Sequence, residues 1–376
     1  MGLAERGIKM VSYSVKTENK NTNYILVINP GSTSTKLAIF KEDENIISSK
    51  ISHTVGELAP FAKVIDQREF RTRIVENFVE EKCKDIPYLS AVVGRGGILT
   101  PMESGTYKVS EEMKLYLSNL KVEHAANLGA IIADTIAQEW RVDAYIVDPV
   151  VVDEMDDFAR ITGIPGINRV SMFHALNHKA SARLAAKRLN RPYEQCNLIV
   201  VHLGGGITAG AHKKGRVVDV NNGLNGDGPF ALERAGSLPV WSLIEWINTH
   251  DYSMDALNKL ITSGSGMVAH LGTNDLREIN RMVKEGNTRA EFLFHAMAYN
   301  VAKEIGSLAP VLEGKIDAIV LTGGAAFDND FVESITKRVQ FLAPIIVIPG
   351  EDEMAALAQG VLRVLRNEET PKIWKY

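Results

Sequence analysis

The stretch Asn29-Pro-Gly-Ser-Thr-Ser-Thr-Lys36 places a glycine, several hydroxyl groups and a lysine between two apolar runs. It reads as the turn of a β-hairpin whose successive backbone N–H groups form a concave anion site, with Ser32, Ser34 and Lys36 adding donors around Gly31. It is not a phosphate loop of the Gly-Lys-Ser type, because that ending and the following helix are missing. Glycine and serine are also ordinary hairpin residues, so the second occurrence matters. His202-Leu-Gly204-Gly205-Gly206 repeats the arrangement, with Gly204 lying 173 residues after Gly31. Adjacent glycines carry no side chains to keep a phosphate chain from the backbone. The two turns together predict a nucleotide held in a cleft between two halves.

Further candidates stand at the carboxyl ends of apolar runs, where ligands of open α/β sheets bind. These are Arg95, Asp148, the pair Gly323 and Gly324, and Gly350 with Glu353. Taken singly, Asp148 and Glu353 read equally well as turn or helix-cap residues, and Arg234 as a surface arginine. His174 and His178 lie four apart, a metal-ligand spacing on a helix. No glutamate follows the first histidine and no third ligand is evident, so zinc is not expected.

The elements that must position these residues can be read from hydrophobic patterning. A hairpin over Ile25–Phe40 and a strand over Ile46–His53 open the first half. A helix with Phe70, Ile74 and Phe78 on one face follows over Glu69–Lys84. Leu89–Val93 is a buried strand ending at Gly94-Arg95-Gly96-Gly97, His124–Trp140 a helix, and Ala144–Val147 a strand ending at Asp148. The second half repeats the plan. It has a hairpin over Leu198–Ala211, a strand over Val217–Val220, helices around Pro239–Thr249 and Thr288–Leu308, strands at Ala318–Leu321 and Ile345–Ile348, and a last helix over Glu353–Arg366. Short continuous apolar runs bounded by glycine suit buried parallel strands alternating with helices. The order β-β-β-α-β-α-β-α, twice over, predicts an α/β fold of duplicated domains with a cleft between them.

Composition agrees. The chain has 376 residues, enough for about two domains. Hydrophobic residues make up 45% and charged residues 23%, as in a globular protein. The net charge of −4 argues against a nucleic-acid partner gripped by a basic surface. Cys83 and Cys196 form no metal or redox spacing, which suits a reducing cytoplasm. No apolar run has the length of a membrane span. Residues 1–23 are polar and read as a flexible tail, with Met10 a second possible start.

Together these motifs resemble the acetate and butyrate kinase family, within the actin-like ATPase superfamily of ribonuclease-H-like domains. The resemblance covers about residues 24–370. It rests on Asn29-x-Gly-Ser-x-Ser-x-Lys36, Gly94-Arg-Gly-Gly97, Val147-Asp148, Phe173-His174, His202-Leu-Gly-Gly205 and Thr322-Gly-Gly324, in the family's order. Within the family the butyrate kinase branch is the most similar, through Asn-Pro-Gly-Ser-Thr-Ser-Thr-Lys, Gly-Arg-Gly-Gly-Ile98, Ser104-Gly-Thr-Tyr107-x-Val109 and His124-Ala-Ala-Asn-Leu-Gly129. Gly205 stands where acetate kinases carry an asparagine, so a side-chain donor to phosphate is missing there.

The resemblance implies the reaction ATP + butanoate ⇌ butanoyl phosphate + ADP, with Mg²⁺ as cofactor. Acetate, propionate or a branched-chain acid are alternative acceptors, and a non-catalytic actin-like switch is a more distant one. It implies that Arg95 and Arg234 hold the acyl phosphate, that His174 steadies the transferring phosphoryl group, and that Asp148 and Glu353 (or Glu351) lie near the magnesium. Asp275 and Arg277 would contact the nucleoside, and Gly323 and Gly324 would form the adenosine pocket. The implied domains are residues 24–149 with about 358–376, and residues 150–357. The implied assembly is at least a homodimer in the cytoplasm. A fatty carboxylate, with a pKa of roughly 4.3, is already an anionic nucleophile at neutral pH and needs no general base. Asn29, standing where many relatives in the superfamily have aspartate, fits that chemistry because an amide donates a hydrogen bond without repelling the incoming anion.

Overall fold

The computed structural model describes residues 22–376; the reading of the N-terminal tail lies, for residues 1–21, outside them. The first half contains β1 (Tyr24–Pro30), β2 (Ser34–Lys41), β3 (Glu44–Ser52), β4 (Ala91–Arg95), β5 (Thr106–Lys108) and β6 (Asp143–Val147). The second contains β7 (Asn197–Leu203), β8 (Ile207–Lys213), β9 (Arg216–Val220), β10 (Ala318–Gly323) and β11 (Ile345–Pro349), and β12 (Lys372–Ile373) ends the chain.

A seven-stranded sheet runs β12-β5-β6-β4-β1-β2-β3 and a five-stranded sheet runs β11-β10-β7-β8-β9. β1 pairs antiparallel with β2 and parallel with β4, as β7 does with β8 and β10. β6 and β11 extend each sheet in parallel. The five-strand order is therefore the same in both halves, and the duplicated α/β architecture expected from sequence is present. β5 and β12 are additions to the first sheet. Ile25–Ile28, Ala91–Val93, Leu198–Val201 and Ala318–Leu321 are fully buried, which is what continuous apolar runs in the middle of a doubly covered sheet require.

The two halves exchange a helix. The helix Ala175–Arg188 follows the last strand of the first half, yet packs on β7 and β10 of the second sheet through Ala182, Ala185 and Ala186. The helix Glu353–Leu365 follows the last strand of the second half and packs on β1, β4 and β6 of the first sheet. Its Leu357, Val361 and Leu362 are buried there, each worth roughly 1.5–3 kcal/mol of apolar burial. The two helices touch each other, and the residues that open them, His174 and Glu353, line one cavity. Among the described residues no helix is long and apolar enough to cross a membrane.

Candidate active site

Arg95 is the last residue of β4. It is positioned by a close approach of strand and helix: a Cβ on Gly94 would collide with the backbone of Gly129, and one on Gly129 with that of Arg95. Only glycine at both positions lets the helix Asn127–Trp140 lie this near the strand end. Asn127 locks the loop beyond, its Oδ1 accepting from Ile98 N at 2.9 Å. The Arg95 guanidinium pairs with the Glu353 carboxylate. That carboxylate also accepts from Asn29 Nδ2 at 2.8 Å and lies 3.9 Å from Lys36 Nζ. Glu353 opens its helix, which Asp352 caps by accepting from Ala355 N at 2.9 Å; a negative charge is stable there. Burial pulls the Arg95 pKa down, opposed by the charge of Glu351.

The facing wall comes from the other crossing helix. His174 stands at its N-cap position, with its ring stacked on His202 at 3.8 Å between centroids. His174 Nδ1 lies 3.0 Å from Thr208 Oγ1. His202 Nδ1 lies 2.9 Å from Asn177 Oδ1 and its Nε2 lies 3.7 Å from Glu351. Burial, reinforced by nearby histidines and arginines, holds His174 well below the ordinary imidazole range, and burial together with Arg234 brings His202 down to about 3. Both are neutral at physiological pH. Arg234 donates through Nη1 to Gly223 O at 2.6 Å, while its Nε is buried and has no hydrogen-bond partner among the described residues.

Asp148 sits beyond β6 with φ of 38°, a left-handed conformation that costs a non-glycine residue about 1–3 kcal/mol. It is fixed by Gly105 N donating to Oδ1 at 2.7 Å and by Arg183 at 3.4 Å from Oδ2. The carboxylate is thus oriented from behind.

These residues enclose a cavity of about 200 Å³. Arg95, His174, Arg234, Asp148, Glu351 and Glu353, with His124, Asn177 and Thr208, form its polar wall, and Ile98, Val150, Met172, Phe173 and Leu224 are part of its apolar one. An adjoining cavity of about 400 Å³ is lined by Asn29, Gly31, Ser32, Ser34 and Lys36, and shares Arg95, Glu353 and His124 with the first. The remaining residues expected from sequence lie outside both. His202 backs the first cavity through its stack on His174. Of the second turn, Gly206 has a specific role, because a Cβ there would overlap the Arg234 guanidinium. A Cβ on Gly323 would collide with the backbone of Leu203, so that glycine brings β10 against β7, whereas the space beside Gly324 is open. Asp275 caps the helix Leu276–Lys284 and pairs with Arg277 at 2.7 Å on the surface, its pKa lowered to about 2 by that partner. The neighbouring Asn274 bonds Glu233, whose backbone N–H donates to Gly205 O, so the pair sits beside the mouth of the second turn.

Sequence reasoning missed Arg71, Asn177 and Thr208. Arg71 is fully buried beneath the first turn and donates to Ser32 O, Ser34 O and Thr35 Oγ1. Burial lowers it to about 10, still a cation at neutral pH. A helical arginine 37 residues from its partner gives no local signal. His124 was visible as part of a motif but not as a residue bordering both cavities.

Two α/β halves of one topology that exchange a helix have the architecture of the actin-like ATPase fold. Residues 163–346 match the family model described as the Acetokinase family. Among solved structures, an acetate kinase from Porphyromonas gingivalis is similar at 20% identity and a TM-score of 0.76, over 91% of this chain and 100% of that one. A propionate kinase from Francisella tularensis subsp. tularensis SCHU S4 is similar at 19% and 0.70, over 90% and 98%. An acetate kinase from Entamoeba histolytica is similar at 16% and 0.73, over 92% and 100%.

Proposed function

We infer that the protein is a short-chain carboxylate kinase that transfers the γ-phosphoryl group of ATP to butanoate, giving butanoyl phosphate and ADP. The observation that carries this reading is an unpartnered buried arginine nitrogen beside a histidine on one cavity wall. Among the described residues Arg234 Nε is buried without a partner, and His174, on the same lining, is hydrogen-bonded only through Nδ1, by Thr208. A buried orphan donor calls for an acceptor, and an acyl phosphate supplies anionic oxygens beside an apolar tail.

In this reading the carboxylate oxygen attacks the γ-phosphorus while the bond to the β,γ-bridging oxygen breaks, and ADP leaves with that electron pair. No proton has to move. Charge spreads over the equatorial oxygens, so the protein's work is positioning and cationic stabilisation. Arg95 and Arg234 present planar forks suited to carboxylate and phosphate, and His174 donates a hydrogen bond. Asn29 orients Glu353 and adds no charge. The turns at Gly31–Lys36 and Gly204–Gly206 receive the phosphates, with the cation of Arg71 beneath the first. Asp275, Arg277, Gly323 and Gly324 would receive the nucleoside.

Magnesium, held by carboxylates of this chain and by water, would offset the negative charge of the phosphates. No cluster of three acidic, histidine or cysteine ligands occurs among the described residues, but Mg²⁺ uses only one or two protein carboxylates besides water and phosphate. Glu353 with the oriented Asp148 fits that requirement, and Glu351 is the alternative.

Butanoate is favoured over shorter acids by the apolar wall of Ile98, Val150, Met172 and Leu224. Acetate or propionate is favoured by the names of the similar solved structures. Incubation with ATP, Mg²⁺, hydroxylamine and acids of increasing length traps acyl phosphate as hydroxamate. The expected maximum is at butanoate; a maximum at acetate changes the acceptor, and no hydroxamate from any acid refutes the kinase.

A further inference from the structure

Behind His174 runs a continuous buried line of polar side chains, of which only Thr208 borders the cavity. Tyr193 Oη lies 2.7 Å from His212 Nδ1, His212 Nε2 3.3 Å from His178 Nδ1, and His178 Nε2 2.9 Å from Thr208 Oγ1. Thr208 Oγ1 lies 3.0 Å from His174 Nδ1. His178, His212 and Thr208 are fully buried and Tyr193 nearly so.

Burial and the crowding of imidazoles hold His178 and His212 well below the ordinary range. Like His174, each is neutral and has one N–H. A neutral imidazole between two partners must donate at one nitrogen and accept at the other, so choosing a direction at one end decides the whole line.

The far end chooses. Tyr193 Oη has no other hydrogen-bond partner among the described residues, so its proton is satisfied only if it is given to His212 Nδ1. His212 must then donate from Nε2 to His178 Nδ1, and His178 from Nε2 to Thr208. The Thr208 hydroxyl donates to His174 Nδ1. The reversed line would strand the tyrosine proton, and two imidazoles donating to Thr208 would strand the hydroxyl proton. A buried donor without an acceptor is the costlier arrangement.

We propose that Tyr193, His212, His178 and Thr208 form a one-way line of donors that fixes His174, a residue of the cavity wall, with its proton on Nε2, the nitrogen that Thr208 does not engage. His174 is thereby a standing neutral donor toward an anionic oxygen and cannot serve as a base from that nitrogen. Its value to phosphoryl transfer rests on the kinase reading; the tautomer does not. Thr208 and His178 are positioning residues.

The test is a two-bond proton–nitrogen correlation spectrum of the full chain with ¹⁵N-labelled histidine at neutral pH. The imidazoles are assigned by His174→Gln, His178→Gln and His212→Gln. All three are expected as the Nε2–H tautomer. An Nδ1–H tautomer or an imidazolium at any of them overturns the proposal, whichever acids react. Thr208→Val should shift the His174 signals toward a tautomer mixture and lower kcat by about tenfold with little change in KM, while Thr208→Ser should restore both. Unchanged His174 signals in Thr208→Val would also overturn it. Absence of turnover with every acid would refute the kinase reading and leave the tautomer measurement standing.

Discussion

Replacing Gly206 by alanine should disable the site while leaving the fold in place. A Cβ built there would overlap Nη1 and Cζ of Arg234 and lie 2.9 Å from its Nε. Recovering an ordinary contact of about 3.5 Å requires the guanidinium to swing by roughly an ångström or more. That motion breaks the 2.6 Å bond from Nη1 to Gly223 O and turns Nε away from the position it now presents. Gly206 is not among the residues with positive φ, so its backbone accepts alanine. The obstructing atoms are the end of a flexible side chain, which limits the stability loss to about 1–3 kcal/mol. The rate is another matter. An ångström of misplacement costs about a hundredfold, and loss of one oriented donor about 10²–10³. Hydroxamate formation by Gly206→Ala should therefore fall about a hundredfold, close to the loss in Arg234→Ala, with a cooperative melt in both. A Gly206→Ala enzyme within about threefold of the parent would refute the reasoning, because Arg234 would then act from elsewhere or not at all.

Arg95→Gln should lower kcat by two or more orders of magnitude with an unchanged circular dichroism spectrum; a parental rate removes Arg95 from the chemistry. His202 is neutral in the fold down to about pH 3 but titrates near 6.5 when unfolded, so its stabilisation is complete above about pH 6.5 and is lost as pH falls toward 3. At pH 5 this one residue costs about 2 kcal/mol, measurable as proton uptake on thermal unfolding and reduced in His202→Asn. Lys179, fully buried, lies 2.6 Å from Glu154; Lys179→Met leaves that carboxylate its bonds from Ser104 and Val217 but no counter-charge and should cost about 3–5 kcal/mol in urea denaturation. Small-angle scattering should show a smaller radius of gyration with nucleotide and acid together than with either alone, since closure would exclude water.

The sheets were legible because their strands are buried on both faces and so are written as short apolar runs: Ile25–Ile28 and Leu198–Val201 need no partner to be recognised. β5 and β12, three and two residues long, carry too little pattern, and the helix Ala175–Arg188 was seen only through His174 and His178. Of the site, residues at strand ends and glycine turns stood out because topology puts ligands there. Thr208, Asn177 and Arg71 did not, since each acts through a partner tens of residues away. Gly206 was noticed as open backbone, but the space it leaves is filled by Arg234.

The crossing helices bear on where such a chain comes from. Each half lends its last helix to the other, so a half cut out alone would leave one face of its sheet bare and carry a helix with nothing to cover. Two copies of such a half could satisfy one another by trading helices about a two-fold axis, and joining them end to end preserves the trade. At matched places in the two halves, 173 residues apart, one carries Asn29 and the other His202, so the same hairpin position holds an amide in one half and an imidazole in the other.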